Sequence, residues 1–215
     1  MRQYHLICFS LLILLACKPT PEGQRVDATA PAASVAEAPS EAETFKISTG
    51  QLNWTASKIG GQHLGTVDIS GGEISIRGKD ILSGHFEVDM ESIANIDLDE
   101  DGQGKLVGHL KSPDFFDVAQ FPIAKFQVTS ASFTDGEAMA THEVTGNLTI
   151  KGISKNITIP VNISFVGDKL LAATPAFTID RTQWDIKYRS GLIGTAADKV
   201  IHDEVSLVVT FDAEK

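Results

Sequence analysis

The chain has 215 residues, 42% of them hydrophobic, and its 18 basic against 28 acidic side chains give a formal net charge of −10. That length allows one large domain or two small ones. An acidic chain with no basic stripe argues against nucleic acid as a partner, because phosphate binding needs clustered Lys and Arg. With one of its two cysteines inside an N-terminal leader, the processed chain has neither a disulfide framework nor a cysteine-based metal site.

Residues 1–16 set Arg2 ahead of an apolar run, Leu6, Ile7, Phe9 and Leu11 to Leu15, that is too short to span a bilayer as a helix. This pattern predicts an export signal. Its end, Leu14-Leu15-Ala16-Cys17, resembles the lipobox of bacterial lipoproteins. The resemblance implies cleavage before Cys17 and acylation of that residue, with an ordinary secretory signal and a chance cysteine as the alternative. Lys18 rather than Asp after the cysteine points, by analogy with lipoprotein sorting, to the outer membrane. The expected location is the bacterial cell envelope, lipid-anchored and facing the periplasm. Residues 17–43 are rich in Pro, Ala, Ser and Glu and hold no aromatic residue. Such a segment has too little apolar surface to offset its ordering entropy and reads as a flexible spacer.

From about Thr44 the hydrophobic period becomes two, so residues 44–215 read as one β domain. Leu52, Trp54 and Ala56 share a face before the Gly60-Gly61 turn; Val67 and Ile69 follow, then Ile74 and Ile76. Leu82, Gly84, Phe86, Val88 and Met90 form a longer alternating strand. Residues 95–104, NIDLDEDGQG, resemble the front of a calcium loop, but no Glu stands at the twelfth position. They read instead as a solvated connection, with Asp99 and Glu100 ahead of a helix starting near Gly104 or Lys105.

The run from His109 to Phe126, HLKSPDFFDVAQFPIAKF, breaks the alternation. It reads as a short helix, a second turn broken by proline, then a strand from Pro122. Phe115 and Phe116 need a surface to bury against, since full burial is worth roughly 1.5–3 kcal/mol each. Alternation then returns through Ala124, Phe126 and Val128, a turn at Asp135-Gly136, and Val144 to Ile150. Further segments are Ile157 to Phe165, Leu170 to Ile179, and Val205 to Phe211. About eight such strands make a sandwich or a barrel, and closure into a barrel removes exposed edges. An eight-stranded barrel is either filled by side chains or holds one small ligand.

Five blocks now support a family resemblance. Gly61 to Val67, Phe86 to Ile93, His109 to Asp117, Phe121 to Phe126 and Val144 to Gly152 resemble, in order and spacing, the YceI-like family. The resemblance implies a mainly β fold, an antiparallel lipocalin-like barrel of about eight strands, and on such a barrel the His109–Phe126 run reads as one short helical lid across an end. It also implies an apolar interior that takes a polyisoprenoid, an isoprenoid quinone or a similar long-chain lipid, with no cofactor. The chain departs from the family near the C-terminal end, where Trp184 to Gly194, WDIKYRSGLIG, is bulkier and more basic than expected.

The inward set Phe86, Val88, Phe126, Val128, Leu148, Ile150, Ile159, Ile163 and Phe177 is either plain core or the wall of a lipid cavity. Gly84 and Gly146, on the same faces, subtract volume from it. Phe115 and Phe116 are the expected lid contacts. Arg181 is the candidate polar anchor for a lipid headgroup, and the alternative is an ion pair with a nearby carboxylate. No histidine pair has metal-ligand spacing. No GxSxG, HExxH or phosphate-cradling loop appears, so no enzymatic activity is expected. The sequence reading is a lipid-anchored carrier or sequestering protein, with a filled barrel serving as an envelope stress or assembly module as the alternative.

Overall fold

The computed structural model describes residues 21–33, 41–134 and 140–215. The leader, Cys17 and the Asp135-Gly136 turn fall outside them. Ten strands appear among the described residues: β1 (Gln24–Arg25), β2 (Glu43–Lys58), β3 (Gly61–Arg77), β4 (Asp80–Asn95), β5 (Ile123–Phe133), β6 (His142–Ile150), β7 (Ile153–Val166), β8 (Lys169–Ala173), β9 (Phe177–Asp180) and β10 (Ile201–Glu214). Helix α1 (Glu100–Lys111) lies between β4 and β5, and 3₁₀ turns at Arg181–Trp184, Gly191–Ile193 and Ala197–Lys199 lie between β9 and β10.

Strands β2 to β7 pair antiparallel in chain order, β10 pairs with β2, and β8 pairs with both β7 and β10, which closes the barrel. The stretch from Leu170 to Ile179 is one wall position broken in two. Pro175 has no N–H for the ladder and separates β8 from β9. Counting that broken strand once, the closed antiparallel barrel has eight strands, as the alternation and the family resemblance predict.

Inward residues of every wall strand form one apolar core, from Phe45 and Trp54 on β2 to Val209 and Ala213 on β10. Burial of these side chains is the main force closing the barrel. The two ends differ. Residues 78–79 and 167–168 are tight turns at one end, while the other carries the long insertions 96–122 and 181–200. The second is called the lid end below.

Two readings from sequence are corrected. Residues 21–33, taken as part of a structureless spacer, lie as a strap on the barrel. After the break at Pro175, β9 leaves β7 without a partner on that side, and the strap fills this seam. It pairs β1 parallel with β9 and bridges Thr29 to Asn156 of β7. Ser206 donates to Glu22 O, Asn147 bonds Ala32 at both N and O, and Val26 is buried. The second correction concerns α1, which starts at Glu100, four residues before Gly104. Asp99 caps it by accepting from Gly102 N at 2.9 Å, and Gln103 donates back to Leu98 O. Gly102 and Gly104 are poor helix formers, and tertiary packing of the helix on β4 overrides that local cost.

A candidate lipid chamber at the lid end

Helix α1 ends at Lys111, and Ser112 then turns the chain with its own N–H and Oγ on His109 O. Pro113 cannot continue the helix. The backbone instead folds back on itself, with Phe116 N donating to Leu110 O, Val118 N to Lys111 O, and both Phe115 N and Asp117 N to Ser112 O. Asp117 takes a left-handed conformation, φ 49°. This dense local bonding fixes Phe115 and Phe116 over the end of the barrel, their rings 5.4 Å apart. Val118 is fully buried beside them and anchors the turn.

The second insertion completes the closure. Trp184 is wholly buried and donates its indole N–H to Leu148 O at 3.0 Å, which ties the 3₁₀ turn to β6. Ile186 is buried next to it, and Tyr188 meets His109 edge-on at 4.3 Å, with Phe115 behind. The bulky departure from the family pattern is thus the plug of the lid end.

Beneath the lid is a cavity of about 120 Å³. Its walls include Trp54 and Ala56 of β2, Val88 and Met90 of β4, Ala124 of β5, Ile150 of β6 and Leu207 of β10, with Phe115, Phe116 and Arg181 at the mouth. A second cavity of about 50 Å³ sits farther down the barrel, walled by residues that include Phe86, Phe126, Val128, Ile159 and Ile163. The residues picked from sequence therefore divide. Val88, Ile150, Phe115, Phe116 and Arg181 surround the upper cavity, and Phe86, Phe126, Val128, Ile159 and Ile163 the lower one. Phe177 is buried in β9, and Leu148 is half-buried on β6; neither borders either of these two cavities. Cys17 lies outside the described residues.

Arg181 is spent on the protein. It is 3% exposed, and its guanidinium donates to Ile186 O at 2.7 Å, to His202 O and Ile201 O at 3.2 Å, and to Asp203 Oδ1 at 3.0 Å. Burial pulls its pKa below the ordinary arginine value, opposed by the carboxylates of Asp203 and Asp180. Such a side chain stays charged in a protein. Its Cζ lies over the Phe115 ring, 5.7 Å from the centroid. The ion pair offered as the alternative is present, with Asp203 as the partner, and Arg181 buckles the 181–186 turn to the start of β10.

Gly146 is likewise not an empty space. A Cβ there would lie 2.4 Å from Phe126 Cζ, so the phenyl ring already occupies the volume that the glycine leaves. Sequence reasoning missed Trp184 and Ile186 as closing elements and Trp54 and Met90 as walls. The strict alternation of Leu52-Trp54-Ala56 and Val88-Met90 was the signal for the last two.

Nearby, Asp97 accepts from His63 Nδ1 at 2.9 Å, from Leu64 N at 2.8 Å, and from Asn95. Desolvation pushes its carboxyl pKa up, but the bonds from Leu64, His63 and Asn95 outweigh it and hold the value below the usual aspartate range. The acidic connection is therefore a structural clamp: Asp97 ties β4 to β3, Asp99 caps α1, and Asp101 pairs with Lys105.

The comparisons agree with this architecture. The family model described as YceI-like domain matches residues 43–213. A UPF0312 protein of Enterobacter sp. (strain 638) is 40% identical over 60 residues, 28% of this chain and 29% of its own length. Protein YceI of Salmonella arizonae is 38% identical over a stretch of the same size and coverage. The alignment thus spans less than a third of these curated relatives. Among solved structures, Burkholderia cenocepacia BcnA superposes with TM-score 0.60 at 18% identity, covering 76% of this chain and 95% of its own. A polyisoprenoid binding domain from Saccharophagus degradans superposes with TM-score 0.55 at 14% identity, covering 79% and 97%. At these identities the likeness is one of fold.

Proposed function

The chain belongs to the YceI-like domain family, and from that premise we propose that it is a carrier or sequestering protein for an isoprenoid lipid, a quinone bearing such a tail, or a similar amphiphile. The observation that carries this reading is the lid-end cavity: a closed barrel keeps an apolar space of about 120 Å³ under a lid of two phenylalanines. A void of that kind forfeits dispersion contacts that a filled core would make. A lipid tail entering it restores those contacts and leaves its own hydration shell. The headgroup then lies at the rim, among His109, Tyr188, Lys187 and Arg189. The Saccharophagus domain of the same fold, described as polyisoprenoid-binding, supports the same class of ligand.

In this reading Cys17 carries the lipid anchor and the barrel faces the periplasm, with the outer membrane as its site. Native mass spectrometry of the protein purified from an envelope fraction, followed by lipid extraction, tests the carrier role. A stoichiometric isoprenoid-class lipid is expected. A reproducibly empty barrel that also fails to take up added prenols would overturn the reading and favour an interaction module. For the anchor, Cys17→Ser is expected to move the protein from the membrane to the soluble fraction, and unchanged fractionation would count against it.

A further inference from the structure

The two cavities are separated by a row of aromatic rings that crosses the bore. Phe86 of β4 and Phe126 of β5 are direct register partners and stack at 5.3 Å with their planes 23° apart. Phe126 rests over Gly146 of β6, where no side chain competes for the space. On the other side Phe86 meets Phe211 of β10 at 6.3 Å. In the sheet β10 and β4 stand three strands apart, so this last contact reaches across the lumen of an eight-stranded barrel. Phe211 is seated in turn against Gly50, where a Cβ would come within 2.8 Å of Phe211 Cβ. Gly146 thus makes room for the Phe126 ring, and Gly50 for the Cβ from which the Phe211 ring springs.

One inward step toward the lid, β4 and β5 carry Val88 and Ala124, which border the upper cavity; on β10 Val209 still borders the lower one and Leu207 the upper. We propose that the Phe126–Phe86–Phe211 row is the floor of the lipid chamber and limits the length of the tail that this protein accepts. This rests on the carrier reading above.

The expected limit follows from strand geometry. From Val88 to Ile93 the upper chamber extends along β4 for about 17 Å, or about 13 Å along the axis of a barrel whose strands tilt by about 40°. That matches an extended tail of about three isoprene units. Without the floor, the bore from Ile81 to Ile93 would run for about 30 Å of axis, or about six units. A longer tail in the intact protein must leave its remainder in water, and each exposed methylene costs roughly fourfold in partition from a bilayer.

The test is extraction from phosphatidylcholine vesicles that contain equal amounts of farnesol, with three isoprene units, and hexaprenol, with six. After separation from the vesicles, protein-bound prenol is quantified by mass spectrometry. The wild-type protein is expected to favour farnesol by more than about tenfold. Phe86→Ala is expected to shift that ratio toward hexaprenol by at least about tenfold, and Phe126→Leu to shift it by less. Circular dichroism and thermal melting establish that each variant is folded, and the milder Phe126→Leu keeps the test open if Phe86→Ala is not. Wild-type protein that extracts both prenols equally overturns the floor while leaving the carrier reading intact, as does a wild-type ratio in the folded variants. Wild-type protein that extracts neither overturns both.

Discussion

At the end away from the lid, hairpins of two residues at 78–79 and 167–168 join neighbouring strands, and aromatic rings fill the bore above the smaller cavity. At the lid end the same strands present Val88, Ala124 and Ala56 inward, and the closure comes from the inserted segments 96–122 and 181–200. A two-residue step along β4 replaces Phe86 by Val88, and one along β5 replaces Phe126 by Ala124. With the barrel wall unchanged, that step turns a filled bore into a chamber. Cavity volume here is set by side-chain size at a few inward positions, and access is set by what the chain inserts between strands. One end can therefore serve as a foundation while the other opens.

The strongest way to break this contrast is to cut the buckle of the lid end. Arg181→Met leaves Ile186 O, His202 O and Ile201 O without that donor and Asp203 without its charged partner, though Ser190 still donates to it, so a loss of about 3–5 kcal/mol is expected in urea unfolding. Amide exchange should rise first at the start of β10 and stay slow in β7 and β8; uniform loosening of both ends would refute the division of roles. A smaller effect is expected from attacking the other half. Gly146→Ala drives a methyl into Phe126 and is expected to cost about 1–3 kcal/mol, with perturbed aromatic NMR signals for Phe126 and Phe86 and unchanged ones for Phe115 and Phe116. The mildest change is in acid. The depressed pKa of Asp97 contributes stability that is fully present above the unfolded-state value of about 3.9 and is lost as pH falls through the folded-state value below it. Melting temperature against pH should thus fall less steeply below about pH 4 in Asp97→Asn than in the wild-type protein. Parallel curves would remove Asp97 from the clamp.

Most of the wall was legible in the sequence, because period-two burial is written in side chains and strands such as β4 and β6 carry it plainly. The lid was legible as a break in that period at Phe115 and Phe116, although its helix begins earlier than the glycines at 102 and 104 indicate. The strap was not legible. Its attachment runs through backbone atoms of Gln24, Val26 and Thr29 and the amide of Asn147, with Val26 as the one buried hydrophobic residue, so composition alone gives a spacer. For Arg181 the ion pair was legible but its other three acceptors were not, since they are main-chain carbonyls that any residue type could supply. Division of the bore was hidden for a related reason: alternation says that Phe86, Phe126 and Phe211 point inward, but only register brings them into one row.

The strap also sets a distance. As a random coil, a spacer from residue 17 to residue 43 would have a root-mean-square span of about 28 Å. With Glu22 held by Ser206, five residues of chain separate it from Cys17, a reach of at most about 18 Å when fully extended. Because Ser206 is the register partner of Thr178, and Thr178 of Arg25, the bond from Ser206 to Glu22 O carries the chain across β9 at that level. An anchor at Cys17, as proposed above, would thus be tied to the wall at Ser206 by a few residues and not by the whole of 17–43.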